Sequence, residues 1–123
     1  MNELIETIFS NFTVDGKLIP VKYMRYKGKE NTYVTYAQTY ANNSYSGDDG
    51  LLGYVELYDF DVYSKSNFTK VIEQIKENLQ ANDFVWQPSR DSSDMYEDET
   101  GFYHKTLCFA TFQNLNKEEN QDG

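Results

Sequence analysis

The sequence predicts an α+β domain: an antiparallel sheet with two amphipathic helices packed on one face, in the order α-β-β-β-α-β-β. Three observations carry this. Two segments place their apolar residues at helical spacing, one at the start of the chain and one past its middle. Five others are runs rich in aromatic and β-branched residues, several with alternating polarity. Clusters of Asn, Asp, Ser and Gly separate these runs and supply the turns.

Residues 2–12 carry Leu4, Ile5, Ile8, Phe9 and Phe12 on one helical stripe. Glu3 and Glu6 fall in the first turns, where the helix dipole favours anions. Asp15-Gly16 marks a turn. Residues 18–26 read as a strand, and Pro20 sends it to a sheet edge or a strand start because proline cannot donate to a ladder. Lys27-Gly28-Lys29 with Glu30 and Asn31 makes the next turn. Residues 32–40 then form a strong strand, so the two strands are expected to make a hairpin. Residues 41–53 are rich in Asn, Ser, Asp and Gly and predict a flexible loop, of a length usually functional or disordered.

Residues 54–63 form a long strand with Tyr58, Phe60 and Val62 on one face and Asp59 and Asp61 on the other. Val55 and Leu57 have the opposite parity to Tyr58, which predicts a bulge or a face switch near Tyr58. Residues 67–82 give the clearest helix, with Phe68, Val71, Ile72, Ile75 and Leu79 on one stripe. Ser66 or Asn67 can cap it, and Asn82-Asp83 ends it. Residues 84–87 begin another strand, 88–101 form a second polar loop, and 102–113 are the last strand. Both parities of that last strand are apolar, so its inner face stays unassigned.

The 123 residues suffice for one domain, here 1–115, followed by a disordered acidic tail over 116–123 that has no apolar anchor. The aromatic content, 11 Tyr, 8 Phe and 1 Trp, is enough to build a core and argues against wholesale disorder. Cys108 is the lone cysteine and cannot form an intrachain disulfide. Residues 1–12 include acids and lack the basic start and cleavage site of a signal peptide, so a reducing cytoplasm is expected and the sequons at Asn11, Asn42 and Asn67 carry no weight. No run approaches the ~18 apolar residues of a membrane span. The net charge of −9 excludes nucleic-acid binding through a generic basic face.

The candidate chemistry concentrates in residues 95–109, where an acidic turn runs into an aromatic strand with His104, the only histidine, at the junction. A histidine beside Glu97, Asp98 or Glu99 has the makings of a general base. No serine or cysteine nucleophile is placed to use it, and a histidine within a strand is more often a hydrogen-bonded structural residue. Asp91, Asp94, Glu97, Asp98 and Glu99 offer oxygens for calcium, but their spacing lacks the glycine and distal glutamate of a calcium loop, and Asp48-Asp49 has no distal glutamate either. There is no glycine-rich phosphate loop, CxxC or HExxH. Nothing singles out a glycosidase-like carboxylate pair. No catalytic residue, metal ligand or cofactor is assigned.

The stretch Gly53-Tyr-Val-Glu-Leu-Tyr-Asp-Phe-Asp-Val-Tyr-Ser-Lys-Ser-Asn-Phe68 with the helix after it, and the segment Met95-Tyr-Glu-Asp-Glu-Thr-Gly-Phe-Tyr-His-Lys105, resemble the small tail terminator (tail completion) proteins of long-tailed bacteriophages. The versions most similar belong to phages and prophages of low-GC Gram-positive bacteria and are often labelled minor capsid or minor structural proteins. The resemblance covers roughly residues 4–112 and rests on aromatic-acidic patterns. It implies the same element order and a ring, typically hexameric, that caps the tail tube, meets the head connector and lets DNA pass through its lumen without specific binding. It implies no cofactor, and a life in the host cytoplasm during assembly and then at the head-proximal end of the virion tail. On this reading Asp48, Asp49, Asp91, Asp94, Glu97, Asp98 and Glu99 lie in interface or lumen-facing loops. Like charges gathered in a ring repel, so salt is expected to promote closure. Two rivals stand beside it: a head-closure, neck or other minor capsid protein, and, less favoured, a small hydrolytic enzyme.

Overall fold

The chain begins in α1 (Asn2–Ile8), shorter than the periodicity of residues 2–12 predicts. The computed structural model describes residues 2–47 and 50–114, with the backbone alone at 42–47, 50–52 and 113–114. The expected tail and the Asp48-Asp49 pair lie outside the described residues. Ile5 is fully buried, and Phe9 and Phe12 enter the core from the turn after the helix, their rings edge-to-face at 5.1 Å. Leu4 lies off the buried side. A helix of about two turns is marginal alone, so packing of Ile5 and the two phenylalanines must hold it.

Asp15 and Gly16 take positive φ, 53° and 79°, and join β1 (Thr13–Val14) to β2 (Lys17–Leu18) in a two-residue hairpin. β3 (Val21–Tyr23) occupies the edge of the main sheet, as Pro20 predicts. It runs parallel to β4 (Thr32–Gly47), Val21 opposite Val34 and Tyr23 opposite Tyr36. The expected hairpin of 18–26 with 32–40 is therefore overturned. The cause is local: Met24 adopts φ 69° while its N–H donates to Tyr36 O at 2.8 Å, which turns the chain out of the ladder after three residues. Residues 25–31 carry it back to the start of β4. Tyr26 fastens this return, its ring 4.7 Å from that of Tyr33 and its hydroxyl accepting from the Glu30 N–H at 3.2 Å.

β4 pairs antiparallel with β5 (Gly50–Ser64), and the ladder continues as far as Gly47 and Gly50. The predicted loop over 41–53 is thus corrected: its described part is extended strand. Asn and Ser disfavour strands only weakly, and a neighbouring ladder overrides that preference. The predicted irregularity near Tyr58 lies on the partner strand. Gln38 faces Tyr58 and Tyr40 faces Leu57, leaving Thr39 as the extra residue of a bulge. β5 itself alternates without a break, so there is no face switch.

α2 (Thr69–Gln80) follows, with Asn67 Oδ1 accepting from the Thr69 N–H at 2.9 Å. Asp83 at φ 68° ends the helical segment, and the Phe84 N–H returns to Leu79 O at 3.0 Å. β6 (Val85–Trp86) is shorter than the predicted strand over 84–87. A 3₁₀ turn (Pro88–Arg90), β7 (Met95–Glu97) and β8 (Phe102–Asn114) complete the described chain. The main sheet has the order β3-β4-β5-β8-β6, with β7 pairing β8 along the same outer edge as β6. The architecture is α+β with two helices and a mostly antiparallel sheet. Its element order departs from the predicted one by the β1–β2 hairpin and by β7.

One cluster unites Ile5, Phe9 and Phe12 with Val71, Ile72, Ile75 and Leu79 of α2 and, from the sheet, Val34, Tyr36, Tyr58, Phe60, Val62, Leu107 and Phe109. This identifies Leu107 and Phe109 as the side of β8 that meets the helices. The other parity also buries residues: Leu57, Cys108 and Ala110 form a smaller cluster on the second face. No helix among the described residues is long and apolar enough to cross a membrane.

Ile75 and Leu79 are fully buried. Truncating either to alanine is expected to cost about 2–5 kcal/mol through lost transfer energy and a residual cavity. A chemical denaturation midpoint that does not move for either variant would contradict this packing.

Candidate functional site

The second face of the sheet gathers the polar and titratable groups. Strand alternation sends Asp59, Asp61 and Tyr63 of β5 to that face. The β5–β8 register then sets Tyr63 opposite His104, Asp61 opposite Thr106 and Asp59 opposite Cys108. β4 adds Tyr33 beside Tyr63 and Thr35 beside Asp61. β7 adds Met95 beside His104 and Glu97 beside Phe102.

His104 is half-buried, its ring stacked on Tyr63 at 4.1 Å and 15°. Its Nε2 lies 3.0 Å from Asp61 Oδ1, and its Nδ1 is 3.9 Å from Glu97 Oε2. The Thr106 hydroxyl donates to the same Asp61 oxygen at 2.5 Å. Asp61 is therefore the main partner of His104, rather than Glu97, Asp98 or Glu99. The sequence held one signal for this: Asp59 and Asp61 alternate with Tyr58, Phe60 and Val62. What it could not supply was the register that carries Asp61 next to β8.

This constellation lacks a nucleophile among the described residues. The Thr106 hydroxyl is committed to Asp61 and does not bond to His104. Burial pushes the Cys108 thiol up, and the nearby Asp59 carboxylate pushes it further, so it stays protonated and unreactive near neutrality. Burial also raises Tyr63 to about 12, and Asp61 and Tyr33 add to the shift. Asp59 is raised by burial first and then by Asp61, with Cys108 and Arg90 pulling the other way. Among the described residues no group of three or more His, Cys, Asp or Glu side chains could hold a metal ion. Chemically the face is a hydrogen-bonded network under an aromatic row.

The acids of the expected second loop have separate fates. Asp91 is an edge-strand substitute: its Oδ1 accepts from the Cys108 N–H and its Oδ2 from Trp86 Nε1, both at 2.9 Å. Ser92 continues the ladder, its N–H donating to Thr106 O at 2.9 Å and its Oγ accepting from the Thr106 N–H at 2.8 Å. Asp94 accepts from Lys105 Nζ at 3.0 Å. Glu97 lies in β7 and accepts from the Thr100 hydroxyl at 3.0 Å. Asp98 and Glu99 are exposed in the β7–β8 turn, which Gly101 closes at φ 77° with its N–H on Glu97 O. The predicted loop over 88–101 is thus corrected to a 3₁₀ turn, a docked edge segment and a hairpin. Side-chain hydrogen bonding to an unpaired strand edge leaves no pattern in hydropathy, so the sequence alone does not display it. Asp48 and Asp49 lie outside the described residues.

No family model and no curated protein matches the chain.

Replacing Asp61 with alanine leaves the Thr106 hydroxyl and His104 Nε2 without their acceptor. The expected cost is about 1–3 kcal/mol, toward the lower end because water reaches the site, read as a lowered denaturation midpoint. Asp59→Asn tests the opposite sign. The folded state holds the Asp59 proton more tightly than the ordinary value of 3.8, so ionisation opposes folding at neutral pH. The variant is expected to melt at or above the parent at neutral pH. That gain should vanish as pH falls through the carboxylate range, where the parent carboxyl is protonated in both states. A variant less stable at neutral pH, with the deficit unchanged in acid, would contradict the cause given for the shift.

Proposed function

We propose that the chain is a structural protein of a long-tailed bacteriophage or prophage virion: a tail terminator that caps the tail tube as a ring and joins it to the head connector. The observation that carries the reading is the resemblance of residues 53–68, with the helix after them, and of residues 95–105 to small terminator proteins. The geometry supports it in one respect. β3 pairs with β4 only at Val34–Tyr36, so among the described residues the outer edge of β4 has no strand partner from 38 to 47. A long open strand edge is a template for pairing with another chain, and a ring is a natural way to use it.

On this reading the chain is not an enzyme and carries no cofactor. His104 and Asp61 serve as a brace, in keeping with the committed Thr106 hydroxyl and the protonated Cys108 thiol. The ring, hexameric in the family it resembles, meets the tail tube protein on one side and the head connector on the other. DNA passes through an acidic lumen that does not hold it. The protein is in the host cytoplasm during assembly and at the head-proximal end of the tail in the virion.

The test is direct. Purified protein is mixed with tail tubes grown without a terminator and imaged by negative stain. One ring at one end of each tube, with further tube growth blocked, is the expected result. Binding to isolated head connectors but never to tubes would move the assignment to a head-closure or neck protein. Binding to neither would overturn the virion reading.

A further inference from the structure

The net charge of −9 hides an uneven distribution. From Gly16 to Lys29 the chain contains no acid, and Lys17, Lys22, Arg25, Lys27 and Lys29 are all exposed. None of these five forms an ion pair among the described residues. The acids flanking the segment in sequence are Asp15, paired with Lys70 at 3.2 Å, and Glu30, and in space Glu6 of α1 lines one groove with Lys22 and Tyr23. The segment contains β3, one edge of the main sheet. The opposite edge carries β7 and its turn, where Asp94, Glu97, Asp98 and Glu99 are exposed; Lys105 holds Asp94 at 3.0 Å, and the other three pair with no lysine or arginine among the described residues.

β7 begins at the level of Tyr33 and runs toward the start of β4, whereas β3 covers Val34 to Tyr36, so the two edge strands adjoin in height without overlapping. Met95 of β7 faces His104, which faces Tyr63, which faces Tyr33, while Val21 of β3 faces the next residue, Val34. Four strand spacings separate β3 from β7, about 19 Å. That exceeds the Debye length of about 8 Å at physiological salt, so the two edges do not neutralise each other within one molecule. Each edge also exposes apolar side chains among its charges: Leu18, Tyr23 and Met24 on the basic side, Met95, Tyr96 and Tyr103 on the acidic side. Apolar anchors ringed by charge are how a specific protein contact is built.

We infer that the basic β3 edge of one copy docks on the acidic β7 edge of the next, head to tail. The occupant is a second copy of this chain because both halves of the complementarity are on one molecule and face opposite ways. The contact joins two different patches, so it repeats, and a rotation that closes makes a ring. Strand directions agree with this. β3 runs parallel to β4, β4 and β8 are each antiparallel to β5, and β7 is antiparallel to β8. β3 and β7 therefore run in opposite senses along the ladder. The inference deepens the proposed ring and rests on it for closure. It reverses the salt dependence expected from net charge alone: a charge-paired contact weakens as salt rises.

Sedimentation velocity on the purified chain tests this without tail tubes. Self-association is expected to weaken by about tenfold or more between about 0.05 M and about 0.5 M salt. Lys27→Glu with Lys29→Glu takes the five basic residues of one edge from +5 to +1, and Asp98→Lys with Glu99→Lys takes the four acids of the other from −4 to 0. None of these four side chains makes a hydrogen bond or ion pair among the described residues, so the folds should survive, and thermal melts confirm it. Each double variant alone is expected to lose self-association. Association that ignores these changes, that strengthens with salt, or that is absent at every concentration would overturn the inference. Tube capping by a chain whose association ignores the charge reversals would sink the edge contact and leave the terminator reading standing. The reverse pattern would do the opposite.

Discussion

Everything in this fold depends on the pairing of β5 with β8. That register is unbroken from Gly53 opposite Asn114 to Ser64 opposite Tyr103, and β5 is flanked on its other side by β4. A strand with partners on both sides has its alternation locked, because a slip of one residue would exchange its faces. Tyr58, Phe60 and Val62 are thereby delivered to the helices, and Asp59, Asp61 and Tyr63 to the opposite face. The second face inherits its chemistry from the first: the apolar packing of one parity decides where the other parity's carboxylates must stand.

That dependence explains which features were legible. The stripe Val71, Ile72, Ile75 and Leu79 reads directly from the sequence because helical burial is periodic and local. The alternation of 58, 60 and 62 against 59 and 61 reads for the same reason. β3 misleads because its parallel pairing is produced by the left-handed turn at Met24, a residue type that carries no turn signal. Residues 41–47 mislead because their Asn and Ser content describes a preference, while the ladder supplies a partner. His104 was readable as a lone residue of interest, but its partner Asp61, 43 positions earlier, is a product of register.

The outer edge of β8 shows how a small sheet limits its own exposure. Gln87 donates to Cys108 O, Asp91 accepts from the Cys108 N–H, Ser92 both donates to and accepts from Thr106, and β7 takes over at His104. Two side chains and a backbone turn thus satisfy groups that would otherwise recruit another strand. Trp86 ties this cover to the helix layer, with Lys76 of α2 3.6 Å over its ring and Asp91 on its indole N–H. The outer edge of β4 beyond Tyr36 has no such cover among the described residues. A fold that closes one edge with this much specific chemistry and leaves another open has allocated its surfaces unequally.

Charge follows the same logic. A net value treats the molecule as a uniform anion, and for solubility or repulsion from DNA at long range that is sufficient. Within a Debye length the arrangement decides instead. Folding separates a run of basic residues and a run of acidic ones across the full width of the sheet, at adjoining heights and on strands of opposite sense. The acids that remain free to act outward are those the fold has not already used: Asp91 is spent on an edge and Asp94 is held by Lys105, whereas Asp98 and Glu99 project from the turn. The same total charge that would oppose the gathering of identical subunits can therefore accompany a contact in which every junction pairs unlike edges.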